Sequence, residues 1–249
     1  MQPIYLQIRQ RARQIILHHP TPDFYRDHAA AHEISRRLFD SNPVIKKLLS
    51  FVEKNLEDDF GHGLKHAVKV AHDAGSLICI EAPHRGDDPE RLLCLVHSAG
   101  LLHDIKRKQK DHAIRSAAYA NKVLKSYPFS AEEIGDICRA IQNHEAFKDS
   151  IAADTPEGEL ISNSLYDADK FRWGPDNFHD TLWDMVSYVN PPLAKFMGGY
   201  PRGMEKLETI KKTFRTATGK KYGPQFIDLG LAIGEELYRV IKTEFSGYL

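Results

Sequence analysis

Apolar residues recur along most of this chain every three to four positions, the spacing that gathers side chains on one face of an α-helix. The first stripe is Ile4, Ile8, Ala12, Ile15 and Ile16. Helix starts are marked by a capping residue before proline at Thr21-Pro22, Asn42-Pro43, Asp88-Pro89 and Thr155-Pro156. Proline suits the first helical position because the N–H it lacks has no partner there. Ser130 with Glu133 forms a capping box ahead of a further helix. Together these signals predict helices near 3–17, 22–38, 43–56, 62–80, 89–103, 110–126, 131–146, 157–169, 177–189, 203–217 and 224–245. No alternating run is flanked by hairpin turns, so the expected fold class is all-α. The cluster Gly198-Gly199-Tyr200-Pro201-Arg202-Gly203 reads as a loop connecting two helices rather than as a lid over a site.

Composition narrows the function classes. A length of 249 residues with 42% hydrophobic and 27% charged positions suits an ordinary folded protein. Lysine plus arginine equals aspartate plus glutamate at 34 each. With no net charge there is no global attraction to nucleic acid or to an anionic membrane, so an anionic substrate must be drawn in locally. Cys79, Cys94 and Cys138 are scattered through apolar helical stretches and read as reduced core thiols. No apolar run reaches the roughly 18 residues of a membrane span. Arg9, Arg11 and Arg13 in an acid-free start hint at a transit peptide, but the apolar stripe there fits a packed amphipathic helix better. The expected location is cytoplasmic.

The chemistry sits in a few histidines and aspartates. His103 and Asp104 stand side by side at the end of the apolar run Leu92 to Leu102, where one nitrogen and one oxygen can meet a single metal ion. Asp104 keeps a second oxygen that could reach another ion. A His-Asp doublet alone is weak, and His72-Asp73 is a second one in this chain, with Asp73 read as a surface residue. The context strengthens the first: His62 and His66 share a helix face, four positions apart. Asp167-Ala168-Asp169-Lys170 closes another apolar helix, and two carboxylates at a buried helix end require a cation or donors nearby. Imidazole nitrogen with carboxylate oxygen suits manganese, iron, zinc, nickel or magnesium.

The segments HGLKHAVKVAHDA, LVHSAGLLHDIKR and LYDADKF resemble the HD superfamily of metal-dependent phosphohydrolases over about residues 60–175. That resemblance implies a metal held by His66, His103, Asp104 and Asp169, the last chosen over Asp167 because the family's final aspartate stands in an Ala-Asp-Lys/Arg phrase. His112 and His144 match positions that ligate a second ion, or bind substrate phosphate when one ion is present. His62 and Asp167 are expected as outer partners of the ligands, although Gly63 replaces an aspartate that many relatives carry and His62 reads equally as helix surface. Arg107 and Lys106, directly after the doublet, are expected to contact phosphate, with Asp104 in a catalytic role; helix-end cations are the plainer reading. His97 is expected to be a core or outer histidine. Trp173 and Phe171 are expected to pack under the site, one of them able to stack on a base or sugar.

The implied organisation is an N-terminal helical extension over 1–60, a metal-binding core over 61–175 and completing helices over 176–249. The implied reaction is hydrolysis of a small phosphate ester or anhydride, nucleotides leading, with one or two ions. Neither a nucleic-acid nor a membrane partner is expected, and the flanking helices could mediate a homodimer. Two other readings use the same fold: a di-iron oxygenase with all six ligands, and a non-catalytic binding or regulatory module.

Overall fold

The computed structural model describes residues 2–56, 63–82 and 88–249. Within them the chain is all-α, with no strand. The helices are α1 (Pro3–Leu17), α2 (Asp23–Asp27), α3 (Ala29–Ser41), α4 (Pro43–Asn55), α5 (Leu64–Glu81), α6 (Pro89–Leu102), α7 (His112–Leu124), α8 (Ala131–Gln142), α9 (Pro156–Phe171), α10 (Leu182–Val189), α11 (Leu193–Ile210) and α12 (Ala217–Glu244). A π-helical turn, Asn177–Thr181, leads directly into α10.

Three of the four proline starts work as the sequence predicts. Asn42 accepts from the backbone N–H groups of Val44 and Ile45, Asp88 from Arg91 and Thr155 from Gly158. The capping box of Ser130 and Glu133 is complete. Thr21-Pro22 behaves differently: the helix it precedes has no side-chain cap, and the single helix predicted over 22–38 is two. His28 leaves the helical region (φ −120°, ψ 32°), and its ring packs on Phe24 and Tyr222.

The C-terminal third departs further from expectation. The glycine cluster expected as a loop lies inside α11. Its apolar stripe of Leu193, Met197, Tyr200, Leu207 and Ile210 is buried, and the Tyr200 hydroxyl donates to the Gly234 carbonyl at 2.8 Å. Tertiary burial outweighs the low helix propensity of glycine and proline there. Likewise α12 begins well before Pro224. Thr216 caps it by accepting from Gly219, and Asp167 accepts from the backbone N–H groups of Arg215 and Thr216.

Helix α5 is the hub, packed against α3, α6, α9 and α12. Its crossing with α6 is close: a Cβ placed on Gly100 would lie 2.6 Å from the Ala71 Cα, so only glycine permits that approach. Helices α7 and α8 pack on each other and α8 on α9, while α1 lies against α12, the π turn and α10. No described helix is long and apolar enough to cross a membrane.

Candidate metal centre

Five helix ends converge on one spot. His66 stands in the first turn of α5, His103 and Asp104 follow α6 directly, and His112 opens α7. His144 follows α8, and Asp169 lies in the last turn of α9. Three of these are helix C-termini, whose unpaired carbonyls carry partial negative charge and favour a cation. All six side chains except His112 are buried.

The distances form two neighbouring clusters. His66 Nε2 lies 3.2 Å from His103 Nε2 and 3.2 Å from Asp169 Oδ1. His103 Nε2 is 3.5 Å from Asp104 Oδ2 and 3.8 Å from Asp169 Oδ1. On the other side, Asp104 Oδ1 lies 3.4 Å from His112 Nε2 and 3.3 Å from His144 Nε2, which are 3.3 Å from each other. Donors about 2.1 Å from one ion in tetrahedral array stand about 3.4 Å apart, so these spacings match an ion's ligand shell. Asp104 offers one oxygen to each cluster.

The donor chemistry fits as well. His103 Nδ1 lies 2.7 Å from the Gly100 carbonyl oxygen, and His144 Nδ1 lies 2.6 Å from that of Ile141. A carbonyl only accepts, so each Nδ1 carries a proton and Nε2 is the ring nitrogen turned toward the cluster. Burial pushes the His103 imidazole down to about 3 and the His112 imidazole down to about 4, against the pull of Asp104. Both rings are therefore neutral at pH 7 and available as ligands. For Asp169, burial acts to raise the carboxyl, but Lys170, His66 and His103 outweigh it and hold it well below the usual carboxylate range.

Not every sequence expectation points at this spot. Arg107 does: its Nη1 is 2.6 Å from His112 Nε2 and 3.7 Å from Asp104 Oδ1. Lys106 does not; its ammonium sits 4.0 Å from the centre of the Tyr119 ring on α7. Adjacent residues in a helical turn diverge by about 100°, so the two cations cannot both face Asp104. Asp167 also turns away, both oxygens being taken by Arg215 and Thr216 at the start of α12. It anchors a helix rather than orienting a ligand. His62 lies outside the described residues. His97 is a core residue, its Nε2 2.9 Å from the Ser35 hydroxyl.

Two groups escaped the sequence reading. Lys170, buried, binds Asp169 Oδ2 and leaves Oδ1 to the histidines; the Ala-Asp-Lys phrase contained that signal. Asp73 is buried rather than on the surface, paired with Arg172 and accepting from the Tyr25 hydroxyl at 2.9 Å. Arg172 also pairs with Asp176, so this knot ties α5 to the end of α9, holding the His66 and Asp169 helices in register. The three thiols are pushed up to about 11 by burial and stay unreactive at neutral pH.

A cavity of about 620 Å³ opens from the cluster, with His66 and Arg107 at one end and α11 along its wall. Trp173 lines it, while Phe171 stacks on Phe226 in the core at 4.2 Å. A second cavity of about 470 Å³, beside Ile34, Leu38 and Cys79, carries none of the clustered histidines or aspartates. Comparisons with protein-family models, curated proteins and solved structures return no match to the chain. The case for a metal centre therefore rests on two groups of buried histidine and aspartate, His66–His103–Asp169 and His103–Asp104–His144, each spaced to hold an ion.

Proposed function

We propose that this chain is a metal-dependent phosphohydrolase acting on a small phosphate ester or anhydride. The observation that carries the reading is the convergence of His66 Nε2, His103 Nε2, Asp104 Oδ2 and Asp169 Oδ1 at neighbouring distances of 3.2–3.8 Å, with the Arg107 guanidinium beside them. Those four side chains would hold a divalent ion (manganese, iron, zinc, nickel or magnesium), which would supply Lewis acidity toward a phosphoryl oxygen and a water molecule. Arg107 binds the phosphoryl group and balances the charge that spreads over its oxygens in the transition state. Lys170 keeps Asp169 ionised and aimed. Nucleotides are the substrate class that the HD resemblance implies.

The di-iron oxygenase reading needs all six ligands free for two ions. Arg107 weighs against it, because its guanidinium engages the Nε2 of His112 that a second ion would use. One ion plus Arg107 is the arrangement this supports. The test is elemental analysis of protein purified without added metal, beside a phosphate-release panel of nucleotides and simple esters. About one ion per chain, with turnover lost in His103→Ala, is the expected result. Nearly two irons with substrate-dependent oxygen uptake and no phosphate release would overturn it.

A further inference from the structure

The cavity that starts at His66 and Arg107 continues between the end of α9, the π turn and α11. Its volume of about 620 Å³ falls in the usual range for small-molecule sites, about 300–1,000 Å³. Its wall is mostly apolar, built from Trp173, Phe178, Leu182, Phe196, Met204 and Leu207. Among the described lining residues there is no aspartate or glutamate, the usual partner of a ribose diol. The Tyr200 hydroxyl is already committed to the Gly234 carbonyl. Asn177, Thr181 and the indole N–H of Trp173 remain as uncharged hydrogen-bonding groups along the described wall, with His66 at the cluster end. That is a thin supply of partners for a sugar and a base.

Among the described lining residues the charged side chains are all basic. Arg107 stands at the cluster end, and Lys195 and Lys206 belong to the α11 side. In a chain with 34 basic and 34 acidic residues, this is a local positive field of the kind an anionic substrate needs.

Helix α11 adds an independent observation. Gly199 and Gly203 lie one turn apart and both line the cavity. Glycine inside a helix is about 1 kcal/mol less favourable than alanine. A Cβ at either position would meet nothing within 4 Å, so packing within the chain does not account for the missing side chains. Their effect is to leave bare backbone facing the cavity and to widen it.

We infer that the ester's leaving group is an apolar alcohol, seated against the bare face of α11 while its phosphate lies at the histidine–aspartate cluster. This rests on the hydrolase reading. In the reaction the water oxygen bonds to phosphorus and the phosphorus–ester oxygen bond breaks, its electron pair staying on the ester oxygen. One water proton ends on that oxygen, so the products are phosphate and the free alcohol. Arg107 holds the phosphoryl end, and the apolar wall shields the leaving alcohol from water.

The experiment compares octyl phosphate, methyl phosphate and nucleoside monophosphates on wild type, Gly203→Leu and Gly198→Leu. Gly198 is equally open but is not a lining residue, so it controls for changes in the helix itself. The expected result is kcat/KM for octyl phosphate at least about tenfold above both other classes, an effect that two buried methylenes can supply. Gly203→Leu lowers the octyl-to-methyl ratio about tenfold, and Gly198→Leu leaves the ratio in place. Preference for a nucleotide, with that ratio unmoved by Gly203→Leu, overturns the apolar leaving group and leaves the hydrolase standing. If no ester is hydrolysed, the hydrolase reading fails. Calorimetric binding of octyl phosphate then decides the cavity: binding lost in Gly203→Leu supports the apolar seat, and no binding to wild type overturns it.

Discussion

Around Asp104 the side chains are held from behind: Asp169 by Lys170, His103 by the Gly100 carbonyl and His144 by that of Ile141. Along α11 the reverse applies. Two positions facing the cavity have no side chain, and Lys195 and Lys206 project from an exposed helix surface. One region holds a few polar atoms through hydrogen bonds and ion pairs from behind; the other defines a volume lined, among the described residues, by basic groups. Under the proposed function the contrast separates two tasks, since a metal-assisted reaction would need close placement whereas the choice of leaving group would need room. Substitutions near Asp104 should therefore be costly and change activity outright, while those on α11 should be tolerated and change selectivity.

The largest effect is expected from Asp104→Ala, which removes an oxygen from each cluster. Metal content should fall to background and phosphate release by about a thousandfold, roughly 4 kcal/mol of barrier. Elemental analysis and single-substrate kinetics check both, and unchanged metal binding would break the proposed ligand set. Arg172→Ala comes next, because it leaves the Asp73 carboxylate buried without its cation. Truncating one partner of a buried pair costs about 3–5 kcal/mol. Urea denaturation measures this, and a loss below about 1 kcal/mol would show that the α5–α9 knot does not hold the two helices.

Gly100→Ala should cost about 1–3 kcal/mol by overpacking against the Ala71 backbone. It also shifts the carbonyl that orients His103, so metal affinity should fall along with the urea midpoint. On α11 the sign reverses. Gly198→Ala should stabilise by about 0.5–1 kcal/mol, because alanine is the better helix residue and its methyl meets nothing. A rise of a few degrees in thermal midpoint is the expected reading; destabilisation would mean that α11 needs its glycines for a reason other than cavity width.

Much of the cluster was legible because it rests on order and helical context. His66, His103, Asp104, His112, His144 and Asp169 were each named from the sequence, and the structure draws them together. What the sequence left open was direction. Lys106 and Arg107 are equivalent as neighbours in a string, and only the turn after α6 sends one to Tyr119 and the other to Asp104. Asp167 and Asp169 likewise share a helix end, yet one anchors the segment leading into α12, from a distance in sequence that no local rule reaches. Asp73 read as surface because its buried partner, Arg172, lies on a different helix. In α11 the glycine signal concealed a stripe, Leu193–Met197–Tyr200–Leu207–Ile210, that was present in the sequence and whose burial prevails.

The ligand atoms are contributed by segments running from residue 66 to residue 169, so the cluster exists only once α5, α6 and α9 have docked. An ion that binds the docked form and not the open chain is thermodynamically part of the fold. At a hundredfold excess over its dissociation constant it would add about 2.7 kcal/mol to stability. Metal supply would then set how much of the protein survives heat and proteolysis as well as how fast it turns over, so that starvation for the ion and loss of the protein become one event.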